Sequence, residues 1–245
     1  EHRVQLWLVA LDQLAEAQPQ ACDSLSADEQ ARAGRFHFEL HRRRFIAGRF
    51  FLRALLGAYF GQPAGQVRFT YGVHGKPALQ APVAGLDVRF NLAHSDNLAV
   101  VGLALGRDLG VDVEHLNPLR DAEPIARRFF SPPERAEFEQ LSPEQKLLGF
   151  YQCWTRKEAF IKALGDGLAY PLADFDVTLA PGQPACLLRV AGDPNEARHW
   201  SLVSFQPAPE TIAALAIRQE QVGVDVYTYP GALRTRLPAA MDNLG

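Results

Sequence analysis

Cysteine is scarce in this chain of 245 residues, which contains only Cys22, Cys153 and Cys186. An odd number of widely separated cysteines fits neither a disulfide framework nor a tetrahedral zinc site. Disulfides persist mainly in oxidising compartments, so their expected absence favours a reducing one. The composition therefore predicts a cytoplasmic protein.

Long apolar runs and an excess of basic residues are also missing. No run approaches the roughly 20 apolar residues that span a bilayer, and the N-terminus lacks the charged-then-apolar pattern of a signal sequence. With 25 Lys and Arg against 28 Asp and Glu, the net charge is −3, so the chain has no dominant basic field. We therefore expect neither a membrane nor a nucleic acid as partner.

Hydrophobic residues make up 47% of the chain, which is enough for one large core or two modest ones. The predicted elements repeat in outline, because a strand, long helices and further strands occur both before and after a turn at 106–110. This order predicts an α+β fold of two similar α/β lobes. We place the N-terminal lobe at 1–108, the C-terminal lobe at 109–220 and a tail of irregular structure at 221–245.

Two acids lie two positions apart in the apolar stretch Leu109-Gly110-Val111-Asp112-Val113-Glu114, which predicts a short strand. On a strand, residues i and i+2 point to the same face, so both carboxylates face one point in space. Two close carboxylates repel each other unless a cation or a proton lies between them. The pair predicts a cation site, and the alternative is an exposed strand face with ordinary charges.

A third acid belongs to a long helix predicted from Ser142 to about Leu164. Glu158 and Lys162 are four residues apart and stack on adjacent turns, while Trp154 lies four residues before Glu158. Two acids on a strand and one on a helix form a hard-oxygen pocket suited to Mg²⁺. A solvated ion pair on the helix surface is the alternative.

Several arginines recur on another predicted helix, which extends from about His41 to Phe60: Arg42, Arg43, Arg44, Arg49 and Arg53. The planar guanidinium fork suits phosphate, so such a helix offers a landing surface to an anionic ligand. The alternative is a solvated basic face.

The motifs together resemble a known family. Gly110-Val111-Asp112-Val113-Glu114, followed about forty residues later by Trp154-x-x-Lys157-Glu158-Ala159-x-x-x-Lys162, resembles the signature of Sfp-type 4′-phosphopantetheinyl transferases. Two weaker family motifs lie upstream in the same order, Gly75-Lys76-Pro77 and Phe90-Asn91-Leu92-Ala93-His94-Ser95. The resemblance covers roughly residues 30 to 180.

The resemblance implies a fold, a reaction and a cofactor. The fold has two lobes in a pseudo-twofold arrangement, which makes the monomer an internal pseudo-dimer. The reaction transfers 4′-phosphopantetheine from coenzyme A to a serine of an acyl or peptidyl carrier protein and releases 3′,5′-ADP. Mg²⁺ is held by Asp112, Glu114 and Glu158. Glu158 and Lys162 are catalytic, because Glu158 takes the serine proton and Lys162 donates to the phosphates.

The resemblance also implies binding residues. Those for coenzyme A are Arg44, Arg49, Lys76, Pro77, His94, Lys157 and Lys162. The family usually has serine before this histidine, and Ala93 lacks that hydroxyl contact. Acidic carrier helices are expected to dock at Arg127 or Arg128, which precede Phe129-Phe130.

Two other functions remain open from the sequence. One is a carrier-protein and coenzyme A binding module that has kept the fold and lost catalysis, for which Ala93 is the only indication. The other is a Mg²⁺-dependent phosphohydrolase, which would leave the basic helix and the phenylalanine-rich segment without a purpose. The sequence does not fix whether the carrier belongs to fatty-acid, polyketide or nonribosomal peptide synthesis.

Overall fold

The computed structural model describes residues 3–80, 85–118, 121–165, 167, 170–230 and 234–237. The strands are β1 Arg3–Ala10, β2 Phe69–Tyr71, β3 Pro77–Leu79, β4 Val88–Ser95, β5 Leu98–Leu105, β6 Leu109–His115, β7 Phe175–Val177, β8 Leu187–Val190, β9 Ser201–Phe205, β10 Thr211–Ile217, β11 Gly223–Tyr229 and β12 Arg234–Leu237. The α-helices are α1 Leu11–Ala17, α2 Ala27–Ala33, α3 Glu39–Phe60, α4 Ala122–Phe129, α5 Pro132–Gln140 and α6 Pro143–Leu164. Among these described residues, no helix is long and apolar enough to cross a membrane.

The two halves of the chain repeat one order of elements. In the larger sheet β1, β5 and β4 are neighbours, and in the smaller sheet β6, β10 and β9 are neighbours in the same order. Helix α3 follows β1 and helix α6 follows β6, and each of these helices contains 22 residues. Each long helix is followed by a two-stranded ribbon, β2-β3 or β7-β8. The predicted α+β fold of two similar lobes is thus confirmed.

The segment after residue 221 corrects the prediction of an irregular tail. Strand β11 pairs in parallel with β1 of the N-terminal lobe, and β12 pairs with β11, so the larger sheet has the order β12-β11-β1-β5-β4. Val224 and Val226 are buried in that sheet. The prediction was wrong because the partner strand lies more than 200 residues away in the chain, and only tertiary pairing makes this segment a strand.

The two sheets pack against each other through one face of β6. Leu109, Val111 and Val113 belong to a buried cluster with Val4 and Leu6 of β1. Because side chains alternate along a strand, Gly110, Asp112 and Glu114 lie on the opposite face. That face contacts α6, which itself packs on a core of apolar residues from β7, β9 and β10. The predicted shared face of the two acids is confirmed.

Candidate active site

The contact between β6 and α6 is unusually close at Gly110. A Cβ atom on Gly110 would lie 2.0 Å from the carbonyl oxygen of Ala159 and 2.4 Å from the amide nitrogen of Ala163. Only a glycine therefore permits this approach. The approach brings Glu158 and Lys162, on the same helix, against the acidic face of β6.

Asp112 is the most buried of the three acids, with 4% of its surface exposed. Its Oδ1 accepts a hydrogen bond from Lys162 Nζ at 2.5 Å. Its Oδ2 is buried and has no hydrogen-bond partner among the described residues. Burial raises the pKa of Asp112, and the charge of Lys162 opposes that rise. Asp112 thus retains one oxygen for a further ligand.

Glu114 and Glu158 are half-buried beside Asp112. The Ser95 hydroxyl donates to Glu114 Oε2 at 3.1 Å and accepts from the amide of His115 at 3.1 Å. Burial, with the charge of Asp112, raises the pKa of Glu114. Burial also raises the pKa of Glu158 to about 7, with Lys162 opposing the rise and the two strand acids adding to it. The three acids therefore repel one another, which is the electrostatic setting of a cation site.

The fit of a Mg²⁺ ion to these acids rests on donor chemistry. Mg²⁺ prefers carboxylate oxygens and retains several waters, and the unpaired buried Oδ2 of Asp112 is such a donor. In the described part of the chain, however, no three His, Cys, Asp or Glu side chains are already close enough to hold a metal ion. The acids are the type of ligand that Mg²⁺ prefers, and their side chains would have to move closer together to bind it.

A cavity of about 270 Å³ opens beside Glu158. Its lining includes His74, Lys76, Pro77, Asn91, Glu158 and Lys162. Lys76 Nζ donates at 3.2 Å to the carbonyl oxygens of both Leu109 and Ala163, so the loop is tied to β6 and to α6. Burial lowers the pKa of Lys76. The Gly-Lys-Pro motif thus forms one wall of the cavity and α6 forms the other.

Positive charge gathers around His94, which lies in β4 with its side chain exposed. The surrounding chain partly desolvates this accessible side chain and lowers the pKa of His94, and the charges of Lys162, Arg32, His41 and Arg44 lower it further. Such a field favours an anion near His94. Arg32 and His41 were not predicted here, because they belong to two different helices and their spacing gives no signal.

Arg44 reaches this cationic region from α3 but is already paired. Its Nε and Nη2 donate to both carboxylate oxygens of Asp12, at 2.9 and 2.8 Å. A second acid, Asp96, lies 3.8 Å from its Nη1. A phosphate at Arg44 would therefore share this guanidinium with two carboxylates.

Two residues predicted to bind coenzyme A are corrected by their burial. Lys157 has no exposed surface, and its Nζ donates to the carbonyl oxygens of Leu172 and Phe175, both at 2.7 Å, and pairs with Glu134 at 2.8 Å. All three ammonium protons are therefore used. Arg49 is likewise buried, with bonds to Glu29 and to the Tyr71 hydroxyl. Neither lines the cavity.

The basic pair proposed for docking lies on the surface. Arg127 and Arg128 are exposed at the end of α4, and Arg127 lies 3.6 Å from Glu123. The Arg128 guanidinium stacks on the ring of Phe129, which itself contacts Trp154 of α6. The pair is thus accessible and lies on the lobe that carries the acids.

Comparison with known proteins assigns the chain to a family. Residues 108–217 match the family model described as 4′-phosphopantetheinyl transferase superfamily, and residues 13–104 match that of a 4′-phosphopantetheinyl transferase N-terminal domain. The 4′-phosphopantetheinyl transferase HetI of Nostoc sp. is 43% identical over 87% of each chain. A putative 4′-phosphopantetheinyl transferase of Synechocystis sp. is 35% identical over 83% of this chain and 79% of its own. The Sfp enzyme of Bacillus subtilis is 28% identical over 63% of this chain and 66% of its own. The chain belongs to the 4′-phosphopantetheinyl transferase superfamily.

Proposed function

We propose that this protein transfers 4′-phosphopantetheine from coenzyme A to a serine of an acyl or peptidyl carrier protein and releases 3′,5′-ADP. The observation that carries the proposal is the meeting of Asp112, Glu114 and Glu158 with Lys162 where β6 contacts α6. The cavity and the cationic region around His94 both adjoin that point, so coenzyme A, a long anionic donor, could lie across it.

Asp112, Glu114 and Glu158 would hold Mg²⁺, with Asp112 contributing its unpaired Oδ2. When bound, the ion supplies charge neutralisation at the pyrophosphate of the donor. Ser95 supports this set because its hydroxyl holds Glu114 in place.

The phosphates would be bound by the cations that surround the acids. Lys162 would donate to the pyrophosphate, which is supported by its reach from α6 to Asp112 and by its contribution to the positive field at His94. His94 and Arg44 would bind a more distant phosphate, with Arg32 and His41 adding to the field. Lys76 and Pro77 would form the cavity wall against the nucleotide.

Glu158 would accept the proton of the carrier serine. With a pKa of about 7 it is partly ionised near neutral pH and is basic enough to take a proton. The serine oxygen then bonds to the phosphorus of the phosphopantetheinyl group, the bond from that phosphorus to the bridging oxygen breaks, and 3′,5′-ADP leaves with that oxygen. Glu158 serves as base, as metal ligand or as both in turn.

The partner would be an acidic carrier protein that docks at Arg127 and Arg128, whose charge contrasts with the net charge of −3. We further propose that the protein acts in the cytoplasm as a monomer, with its two lobes in the pseudo-twofold arrangement of an internal dimer. The acidic set gives no support to a non-catalytic module, because all three acids and Lys162 are present together.

Mass spectrometry of a purified apo carrier protein tests the function. After incubation with coenzyme A, Mg²⁺ and this protein, the carrier should gain the mass of one phosphopantetheine. An unchanged carrier that nevertheless binds the protein would indicate a binding module. Free phosphate with no change in the carrier would indicate a phosphohydrolase.

A further inference from the structure

A buried ion pair, termed here the C-terminal lock, joins α6 to the start of α5. Glu134 of α5 is 2% exposed and forms a capping box with Ser131. Its Oε2 pairs with Lys157 Nζ, and its Oε1 accepts from the amide of Val177 at 2.8 Å. The Lys157 ammonium also stands 4.1 Å from the centre of the Phe175 ring. The lock therefore fastens α6 to α5 and to strand β7.

The same device, termed the N-terminal lock, occurs in the other lobe. Glu29 of α2 forms a capping box with Ser26 and is 1% exposed. Its Oε2 accepts from Arg53 Nε of α3 at 2.6 Å. Arg53 Nη1 donates to the carbonyl oxygen of Val67 at 2.8 Å, and the guanidinium lies 5.0 Å from the ring centre of Phe69.

The two locks occupy one position in the repeat. Arg53 is the fifteenth of the 22 residues of α3, and Lys157 is the fifteenth of the 22 residues of α6. Both helices end at a glycine in the left-handed conformation, Gly61 with φ 64° and Gly165 with φ 84°. A cation, a capping-box glutamate, a following aromatic ring and a backbone carbonyl thus recur together, so a common structural role explains both cations.

The lobes differ at the neighbouring helix positions. One and five residues after the lock cation, α6 carries Glu158 and Lys162, whereas α3 carries Ala54 and Ala58. Consecutive residues of a helix point about 100° apart, so fixing the direction of one side chain fixes that of the next. The C-terminal lock alone therefore has a reactive acid and a cation to orient.

We propose that Lys157 is a positioning residue, whose bonds to Glu134, Leu172 and Phe175 set the rotation of α6 and so hold Glu158 and Lys162 against Asp112. It does not touch substrate. This inference rests on the proposed function of the acids beside it. The N-terminal lock supplies a control, because Arg53 has the corresponding glutamate, carbonyl and ring contacts and no acid of the site beside it; it differs in that Glu29 also pairs with Arg49.

The test compares Lys157→Met with Arg53→Met in the full-length protein. Tm, kcat, the KM for coenzyme A and the dissociation constant of Mg²⁺, measured by calorimetry without coenzyme A, are determined for each. Both variants should lower Tm, and Lys157→Met more strongly, because it removes the cation paired with Glu134, whereas Glu29 in Arg53→Met keeps its ion pair with Arg49. Lys157→Met should lower kcat at least tenfold and weaken Mg²⁺ binding, and any rise in the KM for coenzyme A, through Lys162, should be smaller than the fall in kcat. Arg53→Met should keep kcat within about twofold.

A double variant separates positioning from stability. Glu134→Gln added to Lys157→Met removes the unpaired buried carboxylate and should recover most of the lost Tm, while kcat stays low. The same double variant serves if Lys157→Met alone does not fold. If kcat recovers together with Tm, the lock contributes stability only and the inference is overturned.

Two further outcomes would also overturn it. A raised KM for coenzyme A with unchanged kcat would make Lys157 a direct phosphate contact. An equal loss of kcat in the two Met variants would make both locks purely structural. If the wild-type protein binds no Mg²⁺, the proposed metal site fails, and the comparison of kcat between the two Met variants still decides the role of Lys157.

Discussion

Gly110 of β6 and Ala159 of α6 lie so close that a Cβ on Gly110 would stand 2.0 Å from the Ala159 carbonyl oxygen. Residues on either side of this contact carry the chemistry, with Asp112 on the strand and Glu158 on the helix. The small residues of the two sequence motifs thus bring their charged residues together.

Gly110→Ala should therefore damage the site and the fold together. The added methyl group must push α6 from β6, at a cost of about 1–3 kcal/mol in the free energy of unfolding. Transfer should fall by more than tenfold, because Glu158 moves away from Asp112. Chemical denaturation and a transfer assay measure the two effects.

Gly48→Ala is the control for that substitution. Its Cβ would meet only Leu11 Cδ2 at 3.7 Å, an ordinary contact in the interior of α3. We expect unchanged transfer and unchanged or slightly higher stability, since alanine is the better helix former. Equal behaviour of the two variants would show that the close contact at Gly110 does not organise the site.

Activity should depend on pH through Glu158. Its pKa of about 7 is that of the metal-free protein and a bound Mg²⁺ would lower it, so kcat/KM should rise with pH along an acid limb at or below about 7, where Glu158 loses the proton that prevents it from acting as base. Stability changes the other way. The folded protein binds this proton more tightly than the unfolded chain, so the contribution of Glu158 to stability is lost as pH rises from about 4.5 to about 7.

Lys162→Met tests this assignment by the direction in which it shifts the pH profile. Lys162 holds the pKa of Glu158 down, so its removal should move the acid limb of the residual activity to higher pH. His94→Ala should leave the limb in place, because the lowered pKa of His94 puts its own titration below the usual value. A limb that moves with His94→Ala and not with Lys162→Met would assign it to the histidine.

Coenzyme A binding should weaken in His94→Ala, Arg32→Ala and Arg44→Ala more than the chemical step slows. Loss of one charge-assisted hydrogen bond to phosphate costs about 1.5–3 kcal/mol, or roughly ten- to a hundredfold in affinity. Calorimetry with coenzyme A and with dephospho-coenzyme A, which lacks the 3′-phosphate, measures these losses.

Dephospho-coenzyme A identifies which cations serve the 3′-phosphate. A variant of such a cation should bind this analogue no worse than the wild-type protein does. Asp12→Asn is the converse control, because it releases Arg44 from its carboxylate partner and should not weaken coenzyme A binding. A full further loss of analogue binding in Arg44→Ala would place Arg44 at another part of the ligand.

Reversing the charge of Arg127 and Arg128 together should raise the KM for the carrier protein and leave that for coenzyme A nearly unchanged. An acidic carrier approaches an acidic enzyme quickly only if a local basic patch steers it. The wild-type KM for the carrier should also rise with salt, since charges are screened within about 10 Å at 0.1 M. If the KM for the carrier changes neither with the charge reversal nor with salt, the carrier docks on another surface.

The local part of this site could be predicted from sequence. Alternation along β6 places Asp112 and Glu114 on one face, and helical spacing places Glu158 one turn before Lys162; the structure has both. The contacts between residues distant in the chain could not be predicted. Nothing near Lys157 indicates that Glu134, 23 residues earlier, would bury it. The place of Lys157 in the motif therefore predicts a substrate contact, whereas its bonds in the fold are to Glu134 and to two backbone carbonyl oxygens.

Contacts between distant segments account for the other omissions. Ser95 supports Glu114 only because β4 and β6 lie side by side, and Arg32 and His41 approach His94 only after α2 and α3 have packed. Strand β11 depends on a partner at the opposite end of the chain. In each case the residue type alone permits many roles, and the folded neighbour selects one.

The central claim is that Glu158 and Asp112 act together in the transfer. The most direct measurement is single-turnover transfer to an apo carrier protein at saturating coenzyme A and Mg²⁺, for Glu158→Gln and Asp112→Ala, with the exposed Glu139→Gln as control. Both site variants should fold normally and nearly lose transfer, while the control keeps it. Near wild-type transfer in either site variant would contradict it.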